Sequence, residues 1–444
     1  MGEPRSDDDP LAPTLLADAS GTTPDDPALA ATITPAEASG LRGAMREGAT
    51  LTAEHPGRYH RETEIGRGGM GRVVQVHDAH LGREVAMKEL LSQQGGEGAA
   101  LSIGAVARFL REARITGQLE HPGIVPVHEL GQRADGTIYY TMKRIRGRSL
   151  ASVLREKDAG AGALGARLEL IRAFRDVCEA IAYAHSRGVV HRDLKPDNVM
   201  VGEFGETLVV DWGLAKVRGD GDPRAGDIER RVQLLRGADA AQTVDGHAIG
   251  TPAYMSPEQA RGDVETIDER TDVWGLGAIL FEILTGRAPY VGESAMDVLS
   301  RVLADPAPRA REVLPEVPPE LAAIADRALM KDPSSRYPGA AELAAEIAAW
   351  EDGRNVRAYE YSSLELLRRF VKRNRPAAIA AGVIALSIVA ASALVYRSYL
   401  SEQHARSTAE RRRDEAVAER ERAVESATSA EVAVAEALLE RAER

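Results

Sequence analysis

From Tyr59 onward, β-branched and aromatic residues alternate with polar ones, and the alternation is broken by the run Ile65-Gly66-Arg67-Gly68-Gly69-Met70-Gly71-Arg72-Val73. The apolar stretch Val73 to Val76 predicts a second strand, joined to the first through a hairpin with a glycine tip. Val85-Ala86-Met87-Lys88 closes a third. The period then changes. Across Val106 to Leu119 apolar residues return at helical spacing, His121-Pro122 ends that helix, and two strands are predicted over Ile124 to Leu130 and Thr137 to Met142. Beyond Leu150 the pattern is mainly helical, with a short helix near Leu150 to Glu156 and a longer one from Leu168 to Ser186. Val199 to Val201 and Leu208 to Val210 read as a short hairpin. A strand-rich part followed by a helical part predicts an α+β chain.

The two ends differ from this middle. Met1 to Pro56 is rich in Asp, Pro, Ala, Thr and Gly with no sustained apolar period, which predicts a disordered tail. Pro376 to Tyr396 carries no charge and is built from Ala, Ile, Val and Leu, long enough to cross a bilayer at about 1.5 Å per residue. A buried helix of a soluble domain is the competing reading. Arg368, Arg369, Lys372, Arg373 and Arg375 crowd the entrance to this segment and suit a cytoplasmic face, although Arg397, Arg406 and Arg411 to Arg413 weaken the asymmetry. Ser401 to Arg444 contains neither Gly nor Pro and alternates Glu with Arg among alanines, so it is expected to be helical. Val417 and Val424 stand seven residues apart, but the seam is not sustained, leaving a coiled coil that pairs two copies and a solvated helix both open. The expected divisions are 1–56, 57–352, a basic connector 353–375, a membrane span 376–396 and a charged helical tail 397–444.

Composition narrows the classes. A chain of 444 residues has room for more than one domain, and its net charge of −12 argues against a nucleic-acid binder. The single cysteine, Cys178, lies in an apolar helical pattern and reads as a small buried hydrophobe. No basic stretch followed by an apolar run opens the chain, so it is expected to begin on the cytosolic side.

Candidate chemistry centres on His191-Arg192-Asp193-Leu194-Lys195-Pro196-Asp197-Asn198, which puts a carboxylate, an ammonium and an amide within six residues. Alone it could be a solvated turn. The spacing G-x-G-x-x-G at Gly66, Gly68 and Gly71 is weak evidence by itself, but it leads into a strand rather than a helix, which sets it apart from a dinucleotide-binding turn. A glycine-tipped hairpin lets backbone amides approach phosphates. Lys88 follows it, Glu112 lies on the next helix, and Asp211-Trp212-Gly213 ends the later hairpin. Their bland readings are an exposed strand lysine, a surface carboxylate and a simple turn.

Taken together and in this order, the motifs from about Tyr59 to Trp350 resemble a Hanks-type protein kinase, specifically the bacterial serine/threonine kinases. The resemblance implies a bilobal fold, a small strand-rich lobe hinged to a large helical one, with ATP and Mg2+ between them and protein hydroxyls as acceptors. It implies that Ile65, Gly66, Gly68, Gly69, Gly71 and Val73 cover the nucleotide and that Lys88 pairs with Glu112. It gives the base role to Asp193, charge neutralisation to Lys195 and metal binding to Asn198 and Asp211. Downstream, Gly250 to Glu258 is similar to a substrate-docking segment that includes Thr251, with Glu258 paired to Arg336. Thr243 is the candidate phosphosite, whose phosphate is expected to bring negative charge towards Arg192 and order the loop, the alternative being an ordinary loop threonine. Trp212 in place of the usual Phe, Lys143-Arg144 at the hinge and the long segment Leu214 to Ile249 depart from the family pattern. A nucleotide-binding scaffold without transfer activity is the alternative. Because the kinase pattern is complete before Pro376, the apolar segment is expected to make this a single-pass protein of the cell membrane, and a kinase's need for cytosolic ATP puts its kinase domain on the cytoplasmic side.

Overall fold

The computed structural model describes residues 51–68, 71–91, 103–158, 162–217 and 252–442. Gly69, Thr243, Thr251, the tail up to residue 50 and most of the segment after Leu214 lie outside the described residues. Two units are distinguished, Met1–Tyr359 and Glu360–Arg444.

Among the described residues of the first unit, strands come first. β1 (Thr52–Ala53), β2 (Tyr59–Gly68), β3 (Gly71–Asp78) and β4 (Arg83–Leu90) precede helix α1 (Ile103–Gln118), and β5 (Val127–Gln132) and β6 (Ile138–Lys143) follow it. They form one sheet in the order β1-β5-β6-β4-β3-β2, antiparallel except where β1 runs parallel to β5. The strand expected from Ile124 starts instead at Val127. Ile124 makes only an isolated bridge to Val209, because its side chain is already buried in the core of the helical lobe. On α1, Val106, Phe109, Leu110 and Ala113 pack against Ile138 and Tyr140, which is the apolar stripe of a helix laid on a sheet.

The larger lobe opens with β7 (Gly147–Ser149), α2 (Leu150–Lys157), α3 (Ala163–Leu168) and α4 (Ile171–Ser186). The helix predicted over Leu168 to Ser186 therefore starts later, at Ile171, and a separate short helix that was not predicted, α3, ends at Leu168. At the end of α3 the buried Arg167 donates to the carbonyls of Ile283 and Leu284, groups that a helix end leaves without internal partners, and the chain restarts in a new register at Ile171. β8 (Val189–Val190), β9 (Val199–Gly202), β10 (Thr207–Val209) and β11 (Lys216–Val217) form two small sheets, β10-β9-β7 and β11-β8. Then come α5 (Pro257–Arg261), α6 (Glu269–Thr285), α7 (Ala295–Ala304), α8 (Ala310–Val313), α9 (Pro319–Ala328) and α10 (Ala340–Glu351). From Thr271 to Leu284 nearly every residue of α6 is buried, so it is a central helix rather than an amphipathic one. A Cβ at Gly275 would stand 2.9 Å from that of Leu194, so the missing side chain lets the loop carrying Asp193 lie directly on α6.

The expected partnership of Glu258 and Arg336 is present. Two guanidinium nitrogens donate to the carboxylate at 2.8 and 2.9 Å with both side chains almost wholly buried, and Thr271 adds a hydroxyl at 2.9 Å. Burial pushes the Glu258 carboxyl up, yet its bonds and charge contact with Arg336 carry it below the ordinary value.

The second unit contains α11 (Ser363–Arg373) and α12 (Arg375–Ala442). Part of the expected connector is thus helical, and the expected span and tail belong to one continuous helix. Among the described residues it is the one helix long and apolar enough to cross a membrane.

Removing Arg336 (Arg336→Met) leaves a buried carboxylate uncompensated and is expected to cost about 3–5 kcal/mol in denaturant unfolding. A depressed folded-state pKa stabilises above the unfolded value and loses that contribution as pH falls. The stability gap between the natural chain and Glu258→Gln should therefore hold near neutrality and close as pH drops below about 4.5.

Candidate active site

The loop after β8 is held from beneath by α6. Asp272, buried at its first turn, accepts the amides of His191 at 2.7 Å and Arg192 at 2.8 Å and sits 2.9 Å from His185 Nε2. Burial drives its pKa up, but the hydrogen bond and charge of His185, the charge of His191 and the Arg192 amide bring it below the usual carboxylate range. Arg192 has φ of 70°, a left-handed conformation that non-glycine residues avoid. Its carbonyl accepts Gln259 Nε2 at 2.7 Å, so amide and carbonyl are both fixed. The next residue, Asp193, then projects from a rigid backbone. Its Oδ2 receives Lys195 Nζ and Asn198 Nδ2, each at 3.1 Å, and Asn198 Nδ2 also reaches the Asp193 carbonyl at 2.7 Å. A 3-10 turn at Pro196–Asn198 folds the amide back over the carboxylate.

Across the cleft, β2 and β3 meet at Gly68 and Gly71. A Cβ on Gly71 would come within 2.2 Å of the Glu89 carbonyl, so the close approach of β3 to β4 demands glycine there. Gly66 and Gly68 face open space, and nothing in the protein excludes a side chain at either. Lys88, on β4, donates to Glu112 Oε1 at 2.5 Å and stands 3.8 Å from Asp211 Oδ1. Glu112 is buried on α1 and also accepts the Tyr140 hydroxyl at 2.7 Å. Burial, followed by the neighbouring Glu112 charge, raises the Tyr140 hydroxyl well above its ordinary value and keeps it a donor. Asp211 has φ of 61°, and its side chain is 46% exposed towards the cleft. The mass packed around its other sides pushes its pKa up, but Lys88, Lys195 and His191 pull it below normal, so it stays an anion at neutral pH.

These residues share one cleft of about 480 Å³, the size of a small-molecule site. Ile65, Gly66, Gly68, Gly71 and Val73 line its roof, with Lys88 and Glu112 behind them, and Asn198 and Asp211 form part of its floor. Asp193 and Lys195 join it through Asn198. A hard divalent cation fits the donor set: Asn198 commits its amide nitrogen to Asp193, which leaves Oδ1 as its coordinating atom beside the Asp211 carboxylate. Among the described residues no group of three His, Cys, Asp or Glu could hold a metal alone. Two protein oxygens suit a cation whose shell is completed by phosphate and water.

Two of the three departures from the expected pattern, Trp212 and the Lys143-Arg144 pair, have local explanations. Trp212 is fully buried, its ring edge-on to His191 with centroids 4.6 Å apart, so the larger aromatic packs into the core beneath the loop that bears Asp193. At the hinge Arg144 turns away from the cleft to pair with Glu84, whereas Lys143 and Ile145 line it. Tyr140 and His185 went unread as site residues because an aromatic on a strand and a histidine in a helix look like core. The register of Tyr140 opposite Lys88 is the signal that finds the first.

A strand lobe and a helical lobe, with a lysine–glutamate pair facing a loop carboxylate across one cleft, define a protein kinase. Comparison with known proteins agrees: residues 59–347 match the protein kinase domain, and the chain belongs to that family. It is 36% identical over 303 residues to the serine/threonine-protein kinase PknD of Protochlamydia amoebophila, covering 66% of this chain and 30% of that one. Identity to PknD of Chlamydia pneumoniae is 35% over 291 residues, 64% of this chain and 30% of the relative. A probable serine/threonine-protein kinase of Streptomyces coelicolor is 37% identical over 305 residues, 68% of this chain and 41% of the relative. The chain thus matches about a third of the length of these relatives.

Replacing Tyr140 by Phe removes one hydrogen bond to Glu112 and keeps the packing. It is expected to weaken nucleotide affinity by roughly 3- to 10-fold in a calorimetric titration, about 0.7–1.4 kcal/mol and less than a full bond to a charged group, because the loss acts on the nucleotide only through Glu112 and Lys88.

Proposed function

We propose that this chain is a serine/threonine protein kinase that moves the γ-phosphoryl of ATP, with Mg2+, onto protein hydroxyls, its own among them. The observation that carries the reading is one cleft lined by Lys88, Glu112, Asn198 and Asp211, with Asp193 bonded to Asn198 at its floor and to Lys195 beside it. A scaffold without transfer activity would have no need of all six.

In this reading Asp193 accepts the proton of the attacking hydroxyl as its oxygen bonds to the γ-phosphorus and the bond to the β-phosphate oxygen breaks. Lys195, already beside that carboxylate, neutralises charge on the group in transit. Lys88, oriented by Glu112, holds the α and β phosphates, and the amides of the Gly66 to Gly71 hairpin cover them. Asn198 and Asp211 would hold the magnesium ion, which supplies charge neutralisation at the phosphates. Catalysis is then chiefly positioning and electrostatics. The kinase domain is assigned to 57–352, with a juxtamembrane connector over 353–375, a span over 376–396 and the charged helix 397–444 beyond it. ATP is cytosolic, so the catalytic domain lies on the cytoplasmic side of the cell membrane. The relatives named as serine/threonine-protein kinases, and Lys195 two residues after the base, support hydroxyl acceptors of that type.

Full chain in detergent, supplied with labelled ATP and magnesium, should incorporate phosphate on Ser or Thr. Asp193→Asn should lower the rate by about 10²- to 10⁴-fold with nucleotide binding kept. Equal incorporation by both proteins would remove Asp193 as the base, and none by either, with binding intact, would favour the scaffold.

A further inference from the structure

Helix α11, Ser363–Arg373, lies ahead of the apolar segment and is amphipathic to an unusual degree. Advancing about 100° per residue, Leu364, Leu366, Leu367, Phe370 and Val371 occupy one side, and they are between 42% and 79% exposed. Arg368, Arg369 and Lys372 occupy the other. The helix's one acid, Glu365, is taken up in a capping box with Ser362, accepting the Ser362 amide at 2.8 Å and its hydroxyl at 2.9 Å while its own amide donates to that hydroxyl at 3.3 Å. The charge on the polar side is therefore positive. The Arg369 guanidinium lies 4.5 Å from the Tyr361 ring centre, which adds an aromatic group at the helix start.

Exposed leucines and a phenylalanine call for a cover. A second copy of the chain would bring the same cations against these, and eleven residues give too few turns for a stable helical seam. A bilayer surface satisfies both sides at once, taking the apolar stripe at the level of the acyl chains and the cations among anionic headgroups. Continuity favours it further. Asn374 has φ of −115° and ψ of 51°, a break between α11 and α12, and the uncharged stretch begins two residues later at Pro376. We propose that α11 is an interfacial anchor that lies in the headgroup layer of an anionic membrane, beside the span rather than as part of it. This rests on the membrane reading of Pro376 to Tyr396.

The test uses full-length chain in vesicles of phosphatidylcholine with or without phosphatidylglycerol, carrying an environment-sensitive fluorophore at Leu367→Cys or, separately, at Leu386→Cys. Cys178 is fully buried and stays unlabelled. Lipids with a quencher at shallow or deep acyl positions report depth. The probe at 386 should be quenched by the deep lipid in both vesicles. The probe at 367 should be quenched by the shallow one, roughly twofold or more strongly with phosphatidylglycerol, and that gain should vanish in a variant combining Arg368→Glu, Arg369→Glu and Lys372→Glu. Deep quenching at 386 with none at 367 would overturn the anchor and leave the span standing. A probe at 367 shielded from water but untouched by either lipid would show a second copy as the cover, again overturning it. No quenching at 386 would overturn the span and the anchor together.

Discussion

A single buried carboxylate carries the geometry of the loop that bears Asp193. Asp272 binds the consecutive amides of His191 and Arg192, and the second of these belongs to a residue held at φ of 70°. Such a conformation costs of order 1–3 kcal/mol. Each hydrogen bond to a charged group is worth about 1.5–3 kcal/mol, so two of them outweigh the strain. His185 lowers the Asp272 pKa against the burial that raises it, and Gln259 closes the other side of the Arg192 peptide. The orientation of Asp193 is thereby set from the core of the helical lobe, not by the exposed loop.

The opposite wall of the site is tied to the same base. His191 Nε2 lies 3.2 Å from the Val210 carbonyl, and its ring packs on Trp212, so the segment bearing Asp211 is braced against the segment bearing Asp193. Asp211 in turn stands near Lys88, which is fixed by Glu112 and through it by Tyr140. A chain of contacts therefore runs from α6 through both loops to the strand lobe. A movement of α1 that drew Glu112 away would take from Lys88 the carboxylate that holds it.

Much of this was legible in the sequence, for a physical reason. Chemistry at the cleft comes in short runs, such as Asp193 to Asn198 or Gly66 to Gly71, in which local spacing alone brings the groups together. The lysine–glutamate pair and the Glu258–Arg336 pair were legible through the order of motifs, since each partner sits in a segment with its own signature. What composition and periodicity could not show was support from a distance. Asp272 is 80 positions from Arg192, and a buried acid at a helix start reads only as a cap. The break before Ile171 was equally hidden, because Arg167 is placed by carbonyls 116 and 117 positions away. Continuity of α12 was missed for the opposite reason: the change from apolar to charged composition at Arg397 looks like a boundary, although the tail has neither Gly nor Pro and Pro376 sits in the first turn, where a helix tolerates it.

Amide hydrogen exchange at His191 and Arg192, read beside phosphoryl transfer in the natural chain and in Asp272→Asn, tests the role of Asp272 most directly. With the anion gone, these two amides should exchange at least about tenfold faster while the core amides of α4 and α6 keep their protection, and transfer should fall in parallel. Unchanged protection at both amides with an unchanged rate would contradict it.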